Sequence, residues 1–99
     1  MDVNNQVSML RRYYKLEINK VYDLKFQMKL MSVMSFNRDK YTRIIKSVEI
    51  ISSIIESAVI DCNPKRILKY LVLLRVNIDY FIFQVDKEYN KLWDNKLTH

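Results

Sequence analysis

Ninety-nine residues pass without a glycine and with a single proline, Pro64, and this absence constrains the fold more than any feature that is present. Tight hairpins, phosphate-cradling loops and left-handed turns reach positive φ most readily through glycine. A chain without it argues against folds built from short strands and reverse turns. The same absence removes phosphate-binding loops and dinucleotide fingerprints, both of which require glycine.

Apolar periodicity then sets the elements. Over residues 5–34, Val7, Leu10, Tyr14, Val21, Leu24, Met28 and Met31 recur three or four apart, with one seven-residue step across Glu17, which is the stripe of an amphipathic helix. Leu16, Phe26, Leu30 and Met34 widen that face beyond a narrow seam. Ser35, Phe36, Asn37 and Arg38 interrupt the pattern, with Ser35 or Asn37 placed to cap a following helix and Asp39 suited to its first turn. Residues 39–60 repeat Tyr41, Ile44, Val48, Ile51, Ile55 and Ala58 at helical spacing. Their β-branched content would suit a strand, but alternation fails at Ile44-Ile45, Ile50-Ile51 and Ile54-Ile55. Asp61-Cys62-Asn63-Pro64 is the strongest punctuation, because proline disfavours a helical residue before it and serves well as the first residue after a capping asparagine. A third helix is expected over 64–93, with Leu68, Leu71, Ile78, Ile82, Val85, Tyr89 and Leu92 on its stripe, Ile67, Leu74 and Phe81 beside it, and Arg75 as the stripe's charged position. Residues 94–99 lose the pattern and are expected to fray.

These elements predict one all-α domain over 1–99, an up-down-up bundle of three long amphipathic helices. An apolar content of 49% beside 28% charged residues belongs to a chain that folds. In that topology the first and third helices run parallel, and Glu17 and Arg75 fall about a dozen residues from their helix starts, which predicts an ion pair at one level of the bundle. A domain of this size buries only a modest core. Apolar surface near Phe26, Leu30, Phe81 and Phe83 should therefore remain exposed until a partner covers it, with homodimerisation the simplest cover. Met28, Met31 and Met34, with Trp93, read as packing at one end of the bundle.

A net charge of +6 and a pI near 9.5 favour an acidic partner. The cations cluster at Arg11, Arg12 and Lys15, at Arg38, Lys40, Arg43 and Lys46, and at Lys65, Arg66 and Lys69. The first and third clusters should meet at one end of a parallel pair of helices and offer a contact for an anionic partner. Tyr13 and Tyr14, interleaved with the first, have the composition of a single-strand stacking platform. The expected function is thus a non-enzymatic protein–protein interaction module of adaptor, chaperone-like or structural type. The alternative is a sequence-nonspecific nucleic-acid binder, and a weaker third reading is attachment to an anionic membrane surface.

Catalysis finds little support. His99 is the terminal residue and the only histidine, so neither a histidine acid–base pair nor a multi-histidine metal site is available. Nothing orients it against Cys62, which reads as a structural thiol. Glu49 with Glu56, and Asp79 with Asp86, share helix faces but stand about two turns apart, too far to share a proton. No cofactor or metal is expected. A lone cysteine, the polar start of the chain and the lack of any long apolar run point to an intracellular, cytoplasmic protein without signal peptide or membrane span.

Overall fold

The computed structural model describes residues 2–32 and 38–98, with side chains over 2–27 and 41–91. It is all-helical there: α1 spans Val3–Ser32, α2 Arg38–Ile60 and α3 Pro64–Thr98. The expected turn at Ser35 and Asn37, and the side chains of Leu30, Met28, Met31, Met34, Leu92 and Trp93, lie outside the described residues. α3 continues past Trp93 to Thr98; nothing in that stretch breaks a helix, and the expected fraying does not interrupt it.

The α2–α3 joint is built from three residues, Asp61 to Asn63. The Asn63 amide donates to the Ala58 carbonyl at 3.0 Å and the Cys62 amide to that of Val59 at 3.1 Å, the paired bonds that close a helix through a left-handed residue. That residue is Cys62, with φ 52°, a position where glycine is the usual occupant and this chain has none. Asn63 then begins α3: its side-chain Oδ1 accepts from the Arg66 amide at 3.2 Å, and Pro64 takes the first helical position, where its missing N–H is no loss. One asparagine thus ends one helix and starts the next, which explains how so short a connection reverses the chain.

α3 is the central element. It packs against both α1 and α2, whereas α1 and α2 touch each other only sparingly, and the molecule is a flattened rod of 59 × 22 × 17 Å. The fully buried side chains concentrate on the faces of α2 and α3 that meet: Tyr41, Ile55 and Ala58 against Ile67, Leu74, Ile78 and Phe81. α1 adds Val7, Tyr14, Val21 and Leu24 from the side. The rings of Tyr41 and Phe81 lie 5.8 Å apart, tilted at 49°, and the Tyr41 hydroxyl donates to the Gln84 carbonyl at 3.1 Å. Burial, reinforced by the charge of Glu88 and by Tyr80, pushes the Tyr41 phenol up to about 12.

Candidate functional site

The phase of α3 differs from the expected one by a single step around the helix, and that step decides which residues are available for function. The buried stripe runs Ile67, Leu71, Leu74, Ile78, Phe81 and Val85, while Leu68 and Tyr89, expected inside, are 52% and 54% exposed. Position 75 lies outside this stripe, and Arg75 is exposed. The predicted Glu17–Arg75 ion pair does not form. Glu17 Oε1 instead accepts from Lys20 Nζ at 3.0 Å on its own helix, and Glu17 Oε2 is buried without a hydrogen bond to a described residue. A residue three positions away on the same helix is always within reach of a carboxylate; a residue across the bundle is within reach only if both point inward.

Phe81 also corrects the expected interface. It is fully buried and belongs to the core, whereas Phe26 and Phe83 are exposed at 65% and 61%. Leu30 lies outside the described side chains. The exposed phenylalanines belong to two different surfaces. Phe26 stands on α1 near Tyr22. Phe83 ends a longer row on the side of α3 turned away from the core, with Leu68, Val72 and Val76 before it and Leu73 and Tyr80 beside it, all of them exposed. Leu68, Val72 and Val76 follow one another at four-residue steps, so they form one continuous ridge. Val72, Val76, Leu73 and Tyr80 were not singled out from the sequence, although this four-residue row is legible there; a helix apolar on two opposite faces offers two stripes and does not say which one is inside.

The seam between α1 and α2 is the second surface. It opens into a hollow of about 290 Å³ bordered by Arg11, Tyr14, Lys15, Glu56, Val59 and Ile60. A second, of about 320 Å³, borders Ile18, Tyr22, Lys25, Glu49 and Ser52 and shares Tyr14 and Glu56 with the first. Tyr14 bridges the seam by donating to Glu56 Oε1 at 3.2 Å. Its phenol is raised above its ordinary value by burial first, opposed by Ser52, with the Glu56 carboxylate adding to the rise. Lys25 and Glu49 form a 3.6 Å ion pair across the same seam, solvated and so of small worth. Ser52 and Ser53 turn their hydroxyls back to the Val48 and Glu49 carbonyls, at 2.7 and 3.1 Å, and leave the hollows walled mainly by aliphatic stems and charged tips.

The candidate cations are all on the surface: Arg11, Arg12, Lys15, Lys65, Arg66 and Lys69 are exposed. They share the end of the molecule where α1 and α3 begin, but they do not gather into one patch. Arg11 and Lys15 border the α1–α2 hollow. Arg66 and Lys69 stand over the Tyr70 ring, 5.9 and 5.7 Å from its centroid, contacts worth about 0.5–1 kcal/mol each when exposed. Arg43 and Lys46 are exposed on α2; the side chains of Arg38 and Lys40 lie outside the described residues. Cys62, expected as a structural thiol, is exposed in its turn.

No family model, characterised protein or solved structure matches the chain. Among the described residues no group of histidine, cysteine, aspartate or glutamate is placed to hold a metal ion, and no helix is long and apolar enough to cross a membrane. The functional reading therefore rests on the surfaces themselves.

Proposed function

We propose that this chain is a non-enzymatic helical interaction module that works by offering the outer face of α3 to a protein partner, a second copy of itself included. One observation carries the reading: the central helix is apolar on both sides, and the side turned away from the core presents Leu68, Val72, Val76 and Phe83, each more than half exposed. Scattered exposed aliphatics are normal on a monomer, but a ridge of them along one helix is the usual signature of a protein contact. At about 25 cal/mol per Å² of apolar surface removed from water, covering such a ridge yields several kcal/mol before the costs of association are subtracted.

Light scattering on the purified protein at low and high salt tests this. The expected result is an association that persists at high salt and is abolished by Val72→Glu with Val76→Glu, without loss of helical circular dichroism, since both positions lie outside the core. The alternative, nonspecific binding of nucleic acid by Arg11, Arg12, Lys15, Lys65, Arg66 and Lys69, is supported by their shared end and their exposure. Fluorescence anisotropy with labelled DNA and RNA distinguishes the two. A monomer that binds either nucleic acid with affinity falling steeply in salt would replace the first reading by the second.

A further inference from the structure

The middle of the outer face of α3, from Leu68 to Tyr80, is complementary to its own reverse, and farther out Phe83 exchanges with Lys65. Lys69, Val72, Val76 and Asp79 are spaced three, four and three apart and are all exposed, so they lie on one face of the helix. Reading the row backwards exchanges Lys69 with Asp79 and Val72 with Val76. Leu68 and Tyr80, each four residues outside the valines and each exposed, exchange in the same way. We infer that a second copy of this chain docks on this face with its α3 antiparallel, about a two-fold axis at the level midway between Val72 and Val76. The inference rests on the reading of this face as a protein contact and adds to it the partner, the direction and the register.

Charge selects that arrangement over the others. In the antiparallel pair the two valines of one copy meet the two of the other, and Lys69 faces the partner's Asp79 at both ends of the valine patch. A parallel pair in register sets Lys69 against Lys69 and Asp79 against Asp79, and like charges opposed at an apolar contact are costly. A shift by one heptad along the antiparallel direction sets Val76 against Asp79, which buries a carboxylate on an aliphatic surface. Among the described residues the ion pairs are Lys20–Glu17 and Lys25–Glu49, so Lys69 and Asp79 are both uncommitted to ion pairs. The Lys69 ammonium stands 5.7 Å from the Tyr70 ring centroid, a loose contact that its four-carbon stem can leave. The symmetry is isologous, which closes the assembly at a dimer.

Disulfide trapping and charge exchange test the register. In a Cys62→Ser background, needed because the native thiol is exposed, Lys69→Cys and Asp79→Cys are prepared separately and oxidised alone and mixed. Position 69 and the partner's position 79 lie in one facing layer and come within disulfide reach as cysteines, whereas two copies of position 69 stand about 15 Å apart along the axis of an antiparallel pair. The expected result is cross-linking in the mixture and little in either protein alone. Lys69→Asp and Asp79→Lys should each weaken dimerisation about tenfold, and the double variant should recover most of it, as measured by sedimentation equilibrium. Self-linking of Lys69→Cys alone means a parallel pair and overturns the inference. A dimer abolished by Val72→Glu with Val76→Glu, but showing neither mixed links nor charge rescue, overturns the register and leaves the interaction reading standing. A protein that remains monomeric throughout overturns the homodimer, and a dimer indifferent to the paired glutamates overturns both readings of this face.

Discussion

The outer faces of α2 and α3 are built from opposite materials. α2 turns Lys46, Ser47, Glu49, Ser53, Glu56 and Ser57 to solvent, with Ile50 and Ile60 as its exposed large aliphatics. α3 turns Leu68, Val72, Leu73, Val76, Tyr80 and Phe83 outward along most of the same length. Both helices bury a mainly apolar inner face, so the needs of the core do not account for the difference. A helix that serves only the fold can spend its outer positions on serine and charge, as α2 does. The aliphatic ridge on α3 leaves apolar surface in water without serving the core, and that is the physical reason for reading it as a contact surface.

Phe81 and Phe83 separate the inner and outer faces of α3 most directly, because they stand two residues apart and so on nearly opposite sides of the helix. Phe81 is fully buried against Tyr41, and Phe83 is exposed. Phe81→Ala should cost about 3–5 kcal/mol of unfolding free energy through lost transfer and a residual cavity. Phe83→Ala should cost the monomer less than about 0.5 kcal/mol. Urea titrations of the two variants at low protein concentration decide the matter: equal losses would mean that the two faces of α3 are not inside and outside as described.

How far the sequence could be read divides along the same line. The three helices, the Asn63–Pro64 start of α3 and the tight stripe of α2 were legible because each depends on local chemistry or on a single apolar face. The α2 stripe of Tyr41, Val48, Ile55 and Ala58 is the buried one in the structure. On α3 two apolar stripes compete, and periodicity supplies a spacing without an absolute phase. Spacing alone therefore puts Leu68 and Tyr89 inside and Phe81 on the interface, and carries Arg75 inward with Leu68 to face Glu17. What decides the phase is tertiary: Ile67, Leu74 and Phe81 fit between α1 and α2 together, and Leu68 and Arg75 follow to the outside. Of the expected interface residues, Phe26 and Phe83 are at the surface. Val72 and Val76, at the centre of the ridge, belong to neither expected stripe, and a four-residue row of aliphatics does not by itself mark a surface.

The inner faces can be probed by pH as well as by truncation. The Tyr41 phenol, raised to about 12 by burial and by the nearby Glu88 and Tyr80, has a folded value above its unfolded value near 10. Its contribution is fully present below about pH 10 and is lost as pH rises through about 12, because only the unfolded chain releases the proton readily over that interval. On the order of 2 kcal/mol of stability should disappear across this window. Tyr41→Phe should flatten the decline while losing the hydroxyl bond to the Gln84 carbonyl at neutral pH. Thermal melts of both proteins at matched ionic strength check this, and an unchanged alkaline decline in Tyr41→Phe would remove Tyr41 as its source.

The joint between the compared helices supports a pair of smaller effects of opposite sign. Asn63→Ala removes the side-chain acceptor of the Arg66 amide and should destabilise by about 1 kcal/mol. Cys62→Gly relieves a side chain held at φ 52° and should stabilise by roughly 0.5–1 kcal/mol, less whatever the unfolded chain gains in freedom. Chemical denaturation at fixed pH measures both. If Cys62→Gly destabilises instead, the thiol makes a contribution that the backbone geometry does not reveal.

The smallest expected effect is the most informative about function. Ile50 on α2 is 63% exposed and Val76 on α3 is 60% exposed, so the two positions are matched in exposure and similar in chemistry. A glutamate at either site should change the stability of the monomer by no more than about 0.5 kcal/mol. Exposure alone would therefore treat them as equivalent. The surrounding faces do not: Ile50 is an isolated aliphatic among serines and charges, while Val76 continues the ridge of Leu68 and Val72. Ile50→Glu should leave self-association unchanged, and Val76→Glu should weaken it by tenfold or more, since it sets a desolvated carboxylate at the centre of the contact. Sedimentation of the two variants side by side measures association with stability held constant. If Ile50→Glu disrupts the assembly as strongly as Val76→Glu, the contact is not confined to α3, and the difference between the two outer faces has some cause other than the one argued from their composition.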